Sequence, residues 1–391
     1  MSKNIVILFD GTSNEIATDR SNILRLFGTL EQSDRQLVYY DPGVGTFGAD
    51  EAWSSLARDG SEIWGLATGW GLDHNVKEAY RFLVENYEAG AIEGGHNPDR
   101  DRIYIFGFSR GAYTARVLAG FIHAFGLTKP YYLNLLEYAY RTYKALPSKG
   151  EGSAVAKMKL YDKTLQNDRP PIKLLGLFDT VASVIEPGHG KLQMKTHRYT
   201  HGNPSVEWVR QALAIDERRT MFRPELWEPS QIFEGNPLAQ DKPPQNFKEV
   251  WFAGAHGDVG GGYPEEESGQ IKIPLDWMIR EVTPTALFFR DDTIAKIVLG
   301  TDPSEPKYVK LSPLTKLHDS MRGGWPLLEW IPRRVPQTSW RKRNSLTGYY
   351  VPFRDPRLIP SNALIHETVK TRLDAGGYDP TNLPPDPTFV P

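Results

Sequence analysis

Apolar positions gather into short solid runs. Four stand out, Ile5 to Phe9, Ile103 to Phe108, Ile172 to Phe178 and Val250 to Ala255, each closed by small or acidic residues. Runs of about four to eight apolar residues bounded by turn signals predict strands buried on both faces, as in a parallel sheet. Gln36 to Tyr40, just ahead of a glycine-rich stretch, is a weaker fifth. Helical spacing of apolar residues predicts helices over Asp73 to Tyr87, Ala112 to Phe125, Tyr131 to Ala145 and Val206 to Ile215. Strands alternating with helices predict an α/β fold, a mostly parallel sheet with helices on both faces.

After residue 264 periodicity fades and prolines crowd in. The pattern predicts a core over residues 1–264, with a polar excursion at 146–170. Residues 265–391 are expected to form a lid of the same domain, a long irregular C-terminal covering layer rather than more of the sheet.

Composition narrows the chemistry. The 391 residues are 40% hydrophobic and 24% charged, ordinary for a globular protein. A net charge of −2 supplies no overall field for nucleic acid, which is not an expected partner. With no cysteine, disulfides, thiolate metal sites and a cysteine nucleophile are excluded. The first apolar run reaches Asp10 too early for a signal peptide, and no run of about 18 apolar residues follows. A cytoplasmic location is the default expectation, with export by a signal-independent system as the other route.

The strongest motif is Gly107-Phe108-Ser109-Arg110-Gly111, a G-x-S-x-G pentapeptide. The pattern is weak by itself, but here a buried strand enters it and an apolar helix leaves it. That is the setting of a nucleophile elbow, whose sharp turn lifts the serine hydroxyl above the sheet. An α/β-hydrolase then needs an acid and a histidine, in that chain order. Asp179 closes the run Ile172 to Phe178, and His256 follows the run Val250 to Ala255. Both fall at carboxyl ends of strands, where such sheets place their chemistry. The expected triad is therefore Ser109, Asp179 and His256, with His318 the rival base and Asp258 the rival acid. For the oxyanion hole the candidates are Arg110, after the nucleophile, and Gly11 or Thr12, after the first strand. Asp10 as a magnesium-dependent nucleophile is disfavoured, since Thr12 stands where that chemistry wants a second acid. A metal site of Asp10, Asp179, His256 and Asp258 lacks recognisable ligand spacing. No metal and no cofactor are expected.

Five blocks together resemble a known family: Ile7 to Thr12, Gly107 to Ala112, Leu177 to Val181, Ala212 to Arg219 and His256 to Tyr263. They resemble the catalytic domain of type VI secretion phospholipase effectors. The resemblance implies an α/β-hydrolase with a Ser-Asp-His triad and phospholipase A-type esterase activity, and it supports Ser109, Asp179 and His256. No large membrane-anchoring module is recognisable after the catalytic part. The expected partner is a lipid or other ester substrate. The alternatives are a carboxylesterase of non-phospholipid esters and a silent hydrolase fold used for binding.

One further stretch draws notice, Trp325 to Arg334 followed by Trp340 to Arg343. Tryptophans beside cations suit a lipid interface, so Trp325, Trp330 and Trp340 are candidates for facing substrate or membrane. The competing reading packs them onto the sheet, and ordinary tryptophan burial favours it.

Overall fold

Alternation within each apolar run decides which face of the sheet a side chain serves. Ile5, Ile7 and Phe9 join one core, Val6 and Leu8 the other, and all five are buried. The computed structural model describes residues 2–11, 20–43, 70–90, 99–147, 150, 152–181, 185–188, 191–194, 197–235, 242–322, 325–330, 332–334 and 348–391. Its main sheet holds β1 (Asn4–Phe9), β2 (Gln36–Asp41), β3 (Arg102–Phe108), β4 (Ile172–Phe178), β5 (Val206–Ala214), β6 (Asn246–Phe252), β7 (Leu364–His366) and β8 (Thr388–Val390). The strand order is β2-β1-β3-β4-β5-β6-β7-β8, and every neighbouring pair is parallel.

Helices cover both faces, as the alternating pattern predicts. On one side lie α2 (Trp70–Asn86), α3 (Arg110–Phe125), α4 (Leu136–Lys144) and α5 (Ser153–Leu165). On the other lie α1 (Asn22–Thr29) and α7 (Lys272–Val282). A short helix, α6 (His256–Gly260), follows β6, and α8 (Glu367–Asp374) follows β7. Among the described residues no helix is long and apolar enough to cross a membrane.

Two expectations are corrected. Val206 to Ile215 is not a helix: Val206–Ala214 is β5, hydrogen-bonded between β4 and β6. Its Glu, Arg, Gln, Ala and Leu content favours helix, but burial and two ladders override that preference. Arg210 and Gln211 can sit there buried because Glu281, Asn246, Arg116 and Glu249 hydrogen-bond them. The region after residue 264 is also more than a covering layer. It supplies α7 to the second face and extends the sheet with β7 and β8. Those strands are three residues each, too short to show a period.

Strand order reverses once, where the chain leaves β2 and crosses β1 to start β3. In parallel α/β sheets the crevice beyond the carboxyl ends at such a switch point is the usual ligand site. Asp10 and Ser109 stand at that edge, after β1 and β3.

Candidate active site

The turn from β3 to α3 is tight, and its residues follow from that. Ser109 lies at φ 59°, ψ −122°, a conformation that non-glycine residues seldom adopt. A Cβ on Gly107 would come 2.4 Å from the Gly111 carbonyl oxygen. One on Gly111 would come 2.4 Å from the Phe9 and Asp10 carbonyl oxygens. Both glycines of the pentapeptide are thus required by backbone approach. The turn is tied to the next strand by Ser109 N–H donating to the Phe178 carbonyl at 2.9 Å.

Three predicted side chains meet in one hydrogen-bonded row. His256 Nε2 is 2.8 Å from Ser109 Oγ, and His256 Nδ1 is 2.5 Å from Asp179 Oδ2. The residues come from the ends of β3, β4 and β6, with β5 lying between the acid and the base. At the end of β5, Ala214 N–H donates to Asp179 Oδ1 at 2.9 Å. The His256 ring lies between Phe108 and Phe222, at centroid distances of 4.8 and 5.0 Å. Gly260 allows α6 to approach this closely, since a Cβ there would fall 1.7 Å from the Phe108 ring.

Burial and charge set the protonation states. Burial holds the His256 imidazole below its usual range, opposed by the hydrogen bond and charge of Asp179. For Asp179 burial pushes the other way, toward protonation. The Arg357 charge and the His256 hydrogen bond outweigh it and hold the carboxyl well below the usual range. The resting arrangement is a neutral imidazole between a hydroxyl and a carboxylate.

The rival residues are turned elsewhere. His318 Nδ1 is 2.6 Å from Asp258 Oδ1, and its Nε2 is 2.7 Å from Glu267 Oε2. Tyr263 stacks on the His318 ring at 3.6 Å. The other Asp258 oxygen accepts from Ala255 N–H and His318 N–H, so this carboxylate braces the loop around α6. Asp10 accepts from Ser21 and Tyr40 hydroxyls at 2.5 and 2.8 Å. Gly11 N–H donates to Asp10 Oδ1 at 2.6 Å, Arg110 opens α3, and Thr12 lies outside the described residues. Trp325 packs edge-on to Phe222 at 5.4 Å, one ring removed from His256, while Trp330 is 64% exposed. Trp340 lies outside the described residues.

Two buried residues escaped sequence reasoning. Glu217 accepts from the His256 backbone N–H at 3.2 Å and from the Arg219 guanidinium, which helps hold its carboxyl down to about 2 against burial. Its block, Ala212 to Arg219, was visible only as part of a resemblance. Arg357 sends Nη1 to Asp179 Oδ1 at 2.5 Å and Nη2 to Asp179 Oδ2 at 2.8 Å. It stands in the proline-rich tail, where no motif marks it.

Comparison with known proteins adds a family. The type VI secretion (T6SS) phospholipase effector Tle1-like catalytic domain matches residues 3–281. An uncharacterized protein of Saccharomyces cerevisiae, YEL023C, is 31% identical over 289 residues, 65% of this chain and 40% of that protein. A crystal structure of an uncharacterized protein from Pseudomonas aeruginosa is similar at a TM-score of 0.45 and 17% identity, covering 80% of this chain and 49% of that one. The Tle1 effector bound to the VgrG spike of the type VI secretion system is similar at a TM-score of 0.34 and 19% identity, covering 67% and 51%. The chain thus spans about half or less of the length of these relatives. By the match across residues 3–281, this chain belongs to the T6SS phospholipase effector Tle1-like catalytic-domain family.

Proposed function

We propose that this protein is a serine esterase of phospholipase A type, cleaving the carboxylic esters of glycerophospholipids. Ser109 Oγ attacks the ester carbonyl carbon while His256 Nε2 takes its proton, and Asp179 steadies the resulting imidazolium. The tetrahedral intermediate collapses to an acyl-serine as His256 returns that proton to the departing lysolipid oxygen. Water, deprotonated by His256, then attacks the acyl-serine and releases the fatty acid with Ser109 restored. The Arg110 amide, at the positive end of α3, is the proposed donor to the oxyanion, partnered by Thr12 or by Gly11 once its bond to Asp10 is exchanged.

The observation that carries this reading is the Nε2 to Oγ distance of 2.8 Å, with Nδ1 held by a buried carboxylate. The family supports lipid as the substrate. Exposed Leu327, Trp330, Tyr349, Phe353 and Leu358 support a water–lipid boundary as the place of work. Trp330 packs against Phe353, and Leu358 shares with Phe222 a cleft of about 250 Å³. In this reading the tail around Trp325, Trp330 and Leu358 acts as the lid of the site, while α7, β7 and β8 of the same region belong to the core.

The test is hydrolysis of a panel of phospholipids, triglycerides and short soluble esters, with products identified by mass spectrometry. Wild type should release fatty acid from phospholipid and react with a fluorophosphonate, and Ser109→Ala should do neither. Cleavage of only the non-phospholipid esters would make it a general carboxylesterase. Absence of labelling would make it a binding protein.

A further inference from the structure

A fully buried carboxylate needs donors for all its lone pairs, and Asp179 has four. Oδ1 accepts from Ala214 N–H at 2.9 Å and Arg357 Nη1 at 2.5 Å. Oδ2 accepts from His256 Nδ1 at 2.5 Å and Arg357 Nη2 at 2.8 Å. The guanidinium is fixed in turn, Nη1 donating to the Ala214 carbonyl at 3.0 Å and Nη2 to the Phe222 carbonyl at 2.6 Å. Arg357 is itself buried and lies 178 residues beyond Asp179 in the chain. A two-pronged guanidinium–carboxylate pair fixes a plane as well as a charge.

We propose that Arg357 is a positioning residue of the triad: its guanidinium sets the plane and charge of Asp179, and through Asp179 the orientation and basicity of His256. The proposal rests on the triad reading above. With both prongs in place, Oδ2 keeps one direction for His256, so Nδ1 carries the hydrogen and Nε2 accepts from Ser109. The charge has an equal part. Facing His256 are Asp179 after β4, Glu217 and Arg219 after β5, and Arg357 from the tail behind Asp179. Without Arg357, two carboxylates act on the imidazole against one guanidinium. The imidazolium then persists to higher pH, and the base is occupied where it should be empty. A buried ion pair is a costly way to stabilise a fold, which suits a residue kept for what it does to Asp179.

The test uses wild type, Arg357→Met and Arg357→Lys, each with a thermal melt. Fluorophosphonate labelling of Ser109 and p-nitrophenyl butyrate hydrolysis are followed from pH 5 to 9. In Arg357→Met the acid limb of kcat/KM should move up by about 1–2 pH units, and the plateau kcat should fall at least about tenfold with KM little changed. Arg357→Lys keeps the cation without the planar fork, so its limb should stay near the wild-type position while the plateau falls about tenfold. A wild-type limb in folded Arg357→Met overturns the proposal, however far its melting temperature drops. Should Arg357→Met not fold, Arg357→Lys decides: a reduced plateau with an unmoved limb supports the proposal, and a wild-type plateau or loss of folding overturns it. Wild type that does not label at Ser109 sinks the triad reading and this proposal together. Labelled wild type with an unmoved limb in Arg357→Met sinks only the role of Arg357.

Discussion

Alanine accepts the strained turn at Ser109 about as well as serine does, so Ser109→Ala removes the hydroxyl and little else. Ester hydrolysis should fall by several orders of magnitude, toward the roughly 10⁶-fold seen when a triad loses its nucleophile, with an unchanged melting curve. His256→Ala should be comparably damaging, because in the proposed mechanism nucleophile and base act as a unit. His318→Ala should cost under about tenfold by the same measure, since His318 faces Asp258 and Glu267. The reverse ranking would transfer the base to His318. A neutral imidazole is needed to accept the serine proton, and burial holds His256 below its usual range. The acid limb of kcat/KM should therefore lie below about pH 6.5, the ordinary imidazole value. A limb above neutrality would count against His256.

Elements are legible where local geometry restricts residue choice. The β3–α3 turn admits only glycine at Gly107 and Gly111, so its pentapeptide can be read directly from the chain. Gly111→Ala should cost about 1–3 kcal/mol or more by overpacking, seen as a lower denaturant midpoint, because the facing atoms are backbone oxygens. β5 is illegible for the opposite reason: its helix-forming residues serve a buried strand whose partners come from distant parts of the chain. Arg357 is illegible too, being defined only by the carboxylate it reaches across the fold. The segment around His318 is held to α6 through Asp258, and bonds to Asp258 and Glu267 raise the His318 imidazole above its usual range, against partial burial. A raised group stabilises fully below its unfolded value near pH 6.5 and loses that contribution as pH rises through the folded value. Melting temperatures from pH 5 to 9 should therefore separate wild type from His318→Gln at acid pH and converge at alkaline pH. A gap independent of pH would refute an ionic clamp.

For the whole molecule, the exposed aromatics of the tail are the feature whose role depends on surroundings. Trp330→Ser combined with Trp340→Ser should weaken binding to anionic liposomes at least about tenfold, since each large apolar ring withdrawn from the interface forfeits on the order of 1 kcal/mol or more of burial, while sparing a short soluble ester. Equal loss on both substrates with a lower melting temperature would return these rings to packing. The order of the sheet has another consequence. From β3 onward each new strand is laid beside the one before it, ending with β7 and β8. A chain emerging from the ribosome can therefore build this sheet as it is made, growing toward one edge. Arg357 and the two closing strands come late in that sequence. A chain halted before them would carry its serine, acid and histidine with an open flank on β6. Birth order thus separates the three side chains from the group that holds them, and a chain halted between β6 and Arg357 should be folded in its centre without the guanidinium behind Asp179.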